Sequence, residues 1–346
     1  MSDRASRDGG EVPAEIVLVT GSSSGIGKAC CERLARAGRR IYGASRSPYT
    51  GNTWQHLALD VDDDASVQHT VEEVTRREGG IDALVHCAGF SLAGAVEDTA
   101  IDEVKAQFET NFFGTVRLVR AVVSVMRKRR RGKIIVVGSI GGLIGLPFIG
   151  HYSASKFALN GFIEALRLEV APFGIDAAIL HPGDFNTAIS TNQVRARNAT
   201  SESCYGETFE KIVDRYDRDV QTARSPHVVA RKVEKLLRRK RMPARCIVGT
   251  PIEVLAVRLK AAIPGRGFED LFRRFYGLSF EPPELIRTLH QRWDARPAHG
   301  KAVVPAAVFA IFPYYRYVVQ EDTICIRHLR DRRLLDEGPY APRLAP

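Results

Sequence analysis

Ile16-Val17-Leu18-Val19-Thr20 is an unbroken apolar, β-branched run. It passes directly into Gly21-Ser22-Ser23-Ser24-Gly25-Ile26-Gly27 and then into Lys28-Ala29-Cys30-Cys31-Glu32-Arg33-Leu34-Ala35. Apolar residues without alternation are the mark of a strand buried on both faces, as in a parallel sheet. The segment that follows reads as a helix ending at Gly38. A glycine turn between such a strand and such a helix lets the backbone approach a pyrophosphate, and the helix N-terminus adds a favourable dipole. The spacing is G-x-x-x-G-x-G, and Gly21, Ser22, Ser24, Gly25, Ile26 and Gly27 become candidate dinucleotide contacts.

The same alternation continues to about residue 183, which predicts a doubly wound parallel α/β sheet. Strands are expected at 40–45, 56–59, 83–86, 134–137 and 177–180, with a last one at 247–249. Long helices are expected at 101–129 and 153–173, both with apolar residues on more than one face. Residues 184–225 break the rhythm. They are polar and interrupted, follow the strand end where ligands bind in such sheets, and read as a loop closing over substrate. Residues 252–280 read as one or two basic amphipathic helices, a pattern of core packing that leaves a peripheral membrane contact open.

The bulk properties bound the remainder. A chain of 346 residues with 45% hydrophobic content accommodates one large α/β domain with an appendage. The expected organisation is a disordered lead-in at 1–13, a catalytic domain at 14–250, a helical extension at 251–296 and a tail at 297–346 without an assigned role. Six cysteines lack any framework spacing, and no secretory signal opens the chain, so a reducing, cytoplasmic location is expected. A net charge of +10 is concentrated at Arg127-Lys128-Arg129-Arg130-Arg131 with Lys133, and at Arg238-Arg239-Lys240-Arg241. Both clusters fall at expected helix C-termini, where cations complement the dipole, so no nucleic-acid partner is expected. No histidine or cysteine grouping has metal-ligand spacing, so no metal is expected.

Chemistry is carried by Tyr152-Ser153-Ala154-Ser155-Lys156, which begins 13 residues after Ser139. Tyrosine and lysine four apart share one helix face. An ammonium there is expected to lower the phenol pKa from about 10, so that the hydroxyl exchanges a proton with a substrate oxygen near neutral pH.

Taken in order, the glycine turn, Ser139, Tyr152 and Lys156 closely resemble the short-chain dehydrogenase/reductase family over residues 14–250, including members similar to estradiol 17-beta-dehydrogenases and retinol dehydrogenases. The resemblance implies a Rossmann-type single domain with a helical C-terminal extension bordering an apolar substrate pocket. It also implies interconversion of a carbonyl and an alcohol on a small, apolar, steroid-, retinoid- or lipid-like molecule. By resemblance, the catalytic tetrad is Asn111, Ser139, Tyr152 and Lys156. Asn111 would hold Lys156 and a proton-relay water, and Lys156 would also hold the nicotinamide ribose. Asp60 and Val61 fall where the family contacts adenine. Ala88 and Gly89 end the fourth strand, Pro182 and Gly183 the sixth, and Thr187 matches a carboxamide contact. Cys87 stands where the family has asparagine, and reads as a small buried residue. Family members pair through the two long helices, so a homodimer or homotetramer is expected. The second strand ends in Gly43-Ala44-Ser45-Arg46 with no carboxylate to hold a ribose 2′-hydroxyl. Arg46, helped by Ser22, would instead bind a 2′-phosphate, which favours NADP(H) with NAD(H) as the alternative. A nucleotide-sensing regulator without turnover, or a peripheral membrane module, are the rival readings.

Overall fold

Seven parallel strands form one central sheet, whose inner strands are the runs apolar on both faces. In a computed structural model, residues 14–187 and 193–278 are described, together with the backbone of two later strands at 315–320 and 323–328. In chain order the elements are β1 (Ile16–Thr20), α1 (Gly25–Arg36), β2 (Arg40–Ser45), β3 (Gln55–Ala58), α2 (Asp64–Glu78), β4 (Ala83–His86), β5 (Leu92–Ala93) and α3 (Ile101–Phe108). They continue with α4 (Gly114–Arg129), β6 (Gly132–Val137), α5 (Gly150–Val170), β7 (Ile175–Pro182), β8 (Val194–Arg195), α6 (Gly206–Thr222), α7 (His227–Leu237), β9 (Arg245–Val248), α8 (Pro251–Ala262) and α9 (Gly265–Tyr276). The main sheet runs β3-β2-β1-β4-β6-β7-β9, and every pair in it is parallel.

Helices cover both faces. Leu18, Leu84, Ile134 and Ile179 meet Val71, Leu118, Val122 and Ile163 of α2, α4 and α5 on one side. Val17, Val19, Val85 and Leu180 meet Leu34, Val229 and Val233 of α1 and α7 on the other. Each such side chain, fully buried, contributes roughly 1.5–3 kcal/mol relative to exposure. The basic clusters do end helices: Arg127, Lys128 and Arg129 form the last turn of α4, and Arg238 caps α7 while pairing with Glu234 at 2.5 Å. Arg129 and Arg131 both reach Asp82 at 3.1 Å.

Three expectations need correction. The helix expected at 101–129 is interrupted by a π-helical turn, Glu109–Phe113, that carries Asn111. Gly114 directly follows the turn, and the Asn111 side chain within it is drawn out to the Phe90 peptide. The stretch 184–225 is not a loop throughout, because α6 occupies 17 residues of it. Its polar majority hides Phe209, Ile212, Val213 and Val220, which are buried at helical spacing. β7 also extends beyond its apolar centre, since Asp176 pairs with Arg167 at 3.0 Å and His181 Nδ1 shares a hydrogen bond with the Ser139 carbonyl at 2.8 Å.

The chain divides into two units, 1–278 and 279–346. Within the second, β10 (Tyr315–Gln320) and β11 (Thr323–His328) form an antiparallel hairpin with Tyr315 opposite His328. The expected lead-in at 1–13, residues 188–192 of the substrate stretch and most of the region beyond 278 lie outside the described residues. Among the described residues, no helix is long and apolar enough to cross a membrane.

Candidate active site

The carboxyl ends of β1, β2, β4, β6 and β7 open onto a crevice of about 650 Å³. The glycine turn forms one wall. Gly21 sits at φ +65°, and a Cβ there would stand 3.0 Å from the Ala88 nitrogen. A Cβ on Gly27 would be 2.1 Å from the Gly21 carbonyl oxygen, so α1 packs onto the turn at backbone contact. Ser24, Gly25, Ile26, Arg46, Asp60, Val61, Ala88 and Gly89 also line the crevice, as do Pro182, Gly183 and Thr187 at its far side. Ser22 departs from the expectation. It is fully buried, with its hydroxyl 3.5 Å from the Ser45 hydroxyl, while Ser23 faces the crevice. Exposed Arg46, at the end of β2, remains beside the crevice.

Cys87 is half-buried and lines the crevice, where a fully packed residue was expected. The Thr20 hydroxyl bridges the backbone here. It accepts from the Cys87 and Ala88 N–H groups at 3.2 and 3.4 Å and bonds His86 Nδ1 at 2.8 Å. A threonine ending β1 was thus a signal that the sequence contained and that was not read.

The reaction end is built by β6 and α5. Ser139 follows β6, and its Oγ accepts from the Gly141 N–H at 3.0 Å and lies beside the Tyr152 ring over Gly141. Tyr152 and Lys156 lie one turn apart on α5, both buried, with Lys156 Nζ 5.7 Å from the Tyr152 ring centre. Nζ donates to the Val137 carbonyl at 3.2 Å. Asn111 makes no hydrogen bond to Lys156; its amide spans the Phe90 N–H and C=O at 3.0 Å each and donates to Ser155 Oγ at 3.1 Å. The two side chains nevertheless converge over Gly89, where a Cβ would stand 2.9 Å from Asn111 Oδ1 and 3.4 Å from Lys156 Nζ.

Burial governs the electrostatics of this corner. The Lys156 ammonium is pushed down to about 8 by desolvation. The Tyr152 phenol is held above its usual value, because burial outweighs the Ser139 hydrogen bond and nearby Asp184 adds to the rise. This corrects the expectation that the Lys156 ammonium would lower the phenol pKa. Asp62 and Thr110 were missed altogether. Both line the crevice, and the Thr110 hydroxyl donates to Asp62 Oδ2 at 2.8 Å. Among the described residues, no group of three or more His, Cys, Asp and Glu side chains is arranged to hold a metal.

Comparisons with known proteins agree with this geometry. The short chain dehydrogenase family model matches residues 15–198. A 3-ketodihydrosphingosine reductase of Bacteroides thetaiotaomicron is 37% identical over 265 residues, covering 76% of this chain and 98% of that protein. An NADPH-dependent 3-dehydrocapnine reductase of Ornithobacterium rhinotracheale is 29% identical, covering 74% and 95%. Among solved structures, a short-chain dehydrogenase of Streptomyces avermitilis superposes with a TM-score of 0.65 at 28% identity, covering 78% of this chain and all of that one.

The fold and site define an oxidoreductase that acts on an alcohol or its carbonyl. The chain belongs to the short-chain dehydrogenase/reductase family. Its residues fit the family's nicotinamide dinucleotide: the glycine turn leaves bare backbone where any Cβ would collide, and the crevice runs from there to Tyr152.

Proposed function

We propose that the protein is an NADP(H)-dependent reductase of an apolar, long-chain ketone. The observation that carries this is the single crevice that joins Arg46 at one end to Ser139, Tyr152 and Lys156 at the other. When bound, the nicotinamide supplies hydride to the carbonyl carbon. Tyr152 gives its hydroxyl proton to the carbonyl oxygen, and in the opposite direction its phenolate takes that proton back. A phenol held above its usual pKa stays protonated at neutral pH, which suits it to the reductive direction. Ser139 donates to the same substrate oxygen, a contribution of a few kcal/mol in comparable sites. Lys156 keeps positive charge beneath the phenol, and Asn111 holds the Phe90 peptide and, with it, the floor of the site.

Apolar substrate chemistry is supported by the cluster against Tyr152, where Ala93, Ile149, Phe209 and Val213 pack with Phe148 and Tyr216. Two similar proteins are named as reductases of 3-ketodihydrosphingosine and 3-dehydrocapnine, and one of them as NADPH-dependent. The test is NADPH oxidation over a panel of 3-ketodihydrosphingosine, steroid, retinoid and short-chain ketones, with wild type and Arg46→Asp. Turnover of the long-chain ketone is expected, with Arg46→Asp weakening NADPH far more than NADH. Absence of turnover across the panel, or equal weakening of both nucleotides, overturns the reading.

The same reading includes self-association through α5, whose Phe157 and Leu168 are exposed at 39% and 79%. Sedimentation velocity is expected to show a dimer or tetramer that Leu168→Glu dissociates. A monomeric wild type would remove this part of the proposal.

A further inference from the structure

Ser139 is held by its main chain as well as by its hydroxyl. Its backbone is extended where it leaves β6, and its carbonyl oxygen accepts from two donors, the Gly142 N–H at 2.9 Å and His181 Nδ1 at 2.8 Å. The first bond closes the short turn Ile140–Gly142, and the second comes from β7, 42 residues further on. The imidazole lies over Gly138, where a Cβ would stand 3.0 Å from Nδ1 and 3.2 Å from Cε1. A side chain at 138 would displace the ring, so this glycine belongs to the same device.

Chemistry fixes which nitrogen carries the proton. His181 is fully buried, and desolvation pushes it down to about 4, so the ring is neutral at neutral pH. A neutral imidazole has one N–H and a carbonyl can only accept, which puts the proton on Nδ1. Nε2 is buried with no partner among the described residues, so the hydrogen bond that this side chain makes there is the one to Ser139. The other side of the turn rests on α5. Asn160 Nδ2 donates to the Gly142 carbonyl at 2.8 Å, and a Cβ on Gly142 would stand 2.8 Å from the Lys156 carbonyl oxygen. The serine turn is thus clamped between α5, which carries Tyr152 and Lys156, and the end of β7, which reaches the crevice at Pro182 and Gly183.

We propose that His181 is a positioning residue for Ser139: its Nδ1–H tethers the serine carbonyl to β7, and so keeps Ser139 Oγ where it meets the substrate oxygen together with the Tyr152 hydroxyl. The proposal deepens the reductase reading above and rests on it for the role of Ser139. The histidine touches neither substrate nor nucleotide. It acts through the serine alone, so its contribution vanishes when the serine hydroxyl is absent.

Two measurements test this. In the first, kcat and KM for a ketone reduced in the panel above are compared in wild type, His181→Gln and His181→Asn, each with and without Ser139→Ala, with thermal melts to check folding. His181→Gln is expected to lower kcat roughly 10- to 100-fold, as for a misplaced reacting group, with KM and NADPH affinity within a few-fold. His181→Asn, whose amide N–H falls near the place of Nδ1, is expected to recover most of that loss. In the Ser139→Ala background, His181→Gln is expected to cost little more. The same fold-loss in both backgrounds, or equal losses in the Gln and Asn variants, makes His181 structural and overturns the proposal. In the second, long-range ¹H–¹⁵N spectra of the histidine rings are recorded on the full-length protein from pH 8 to pH 5, which needs no turnover, with the His181 signal identified by its loss in His181→Asn. A neutral Nδ1–H ring throughout supports the tether even where no ketone is reduced, an outcome that would sink the reductase reading alone. An Nε2–H ring, or a ring charged at pH 7, overturns the tether whether or not ketones are reduced.

Discussion

Tyr152 is held protonated by its burial and aimed by Ser139, so its one chemical asset is a transferable proton. Tyr152→Phe removes that proton and little volume. Turnover is expected to drop by roughly 10²- to 10⁴-fold, the range for a positioned acid, while nucleotide affinity stays within a few-fold. Steady-state rates and NADPH fluorescence titration check the two halves, and near-normal turnover in the variant would contradict the assigned role. Ser22 shows how residue type alone misleads. It stands among the glycines that meet a nucleotide, yet its hydroxyl turns inward to Ser45, and neighbouring Ser23 takes the exposed position.

At the scale of elements, two local devices shape the site. The first is the contact between α1 and the glycine turn, where Gly27 leaves no space for a side chain. Gly27→Ala must lift the first turn of α1 away from Gly21. A stability loss of about 1–3 kcal/mol is expected, as for overpacked cores, together with at least a roughly tenfold weaker NADPH dissociation constant. Urea unfolding and nucleotide titration measure both, and wild-type affinity in this variant would refute the packed-turn account. The second device is the π turn at Glu109–Phe113, which brings Asn111 to the Phe90 peptide and to Ser155. Single π turns inside helices often mark functional positions.

Across the whole molecule, two neutral histidines lie beneath the sheet's carboxyl ends. Burial pushes His86 down to about 3 and His181 down to about 4. In the unfolded chain both take a proton near pH 6.5. Between those values the unfolded state binds more protons, so stability falls as the pH drops. The stability present above pH 6.5 is expected to fall by roughly 2 kcal/mol per histidine by pH 5. Denaturant midpoints at pH 7.5 and pH 5 test this, and His86→Gln should remove about half of the dependence. A midpoint unchanged between the two pH values would show that these histidines are protonated in the folded protein.

What the sequence determined by itself is local and periodic. The apolar runs of β1, β4 and β6 can be stable only when covered on both faces, and Gly21 and Gly27 can serve only where backbone meets backbone. Tyr152 and Lys156 share a face because of helix geometry, in whatever protein the helix sits. The tertiary structure alone decided the remainder. Whether Lys156 or burial rules the Tyr152 phenol depends on how much water the packed chain excludes, and burial prevails. The helical character of α6 rests on Phe209, Ile212 and Val213 finding a buried surface that segments distant in sequence supply. The peptide at Asp184 is fixed only because Glu253, 69 residues further on, accepts its N–H at the start of α8. Desolvation and long-range convergence have no signature in neighbouring residues, and they are what turn these side chains into a site.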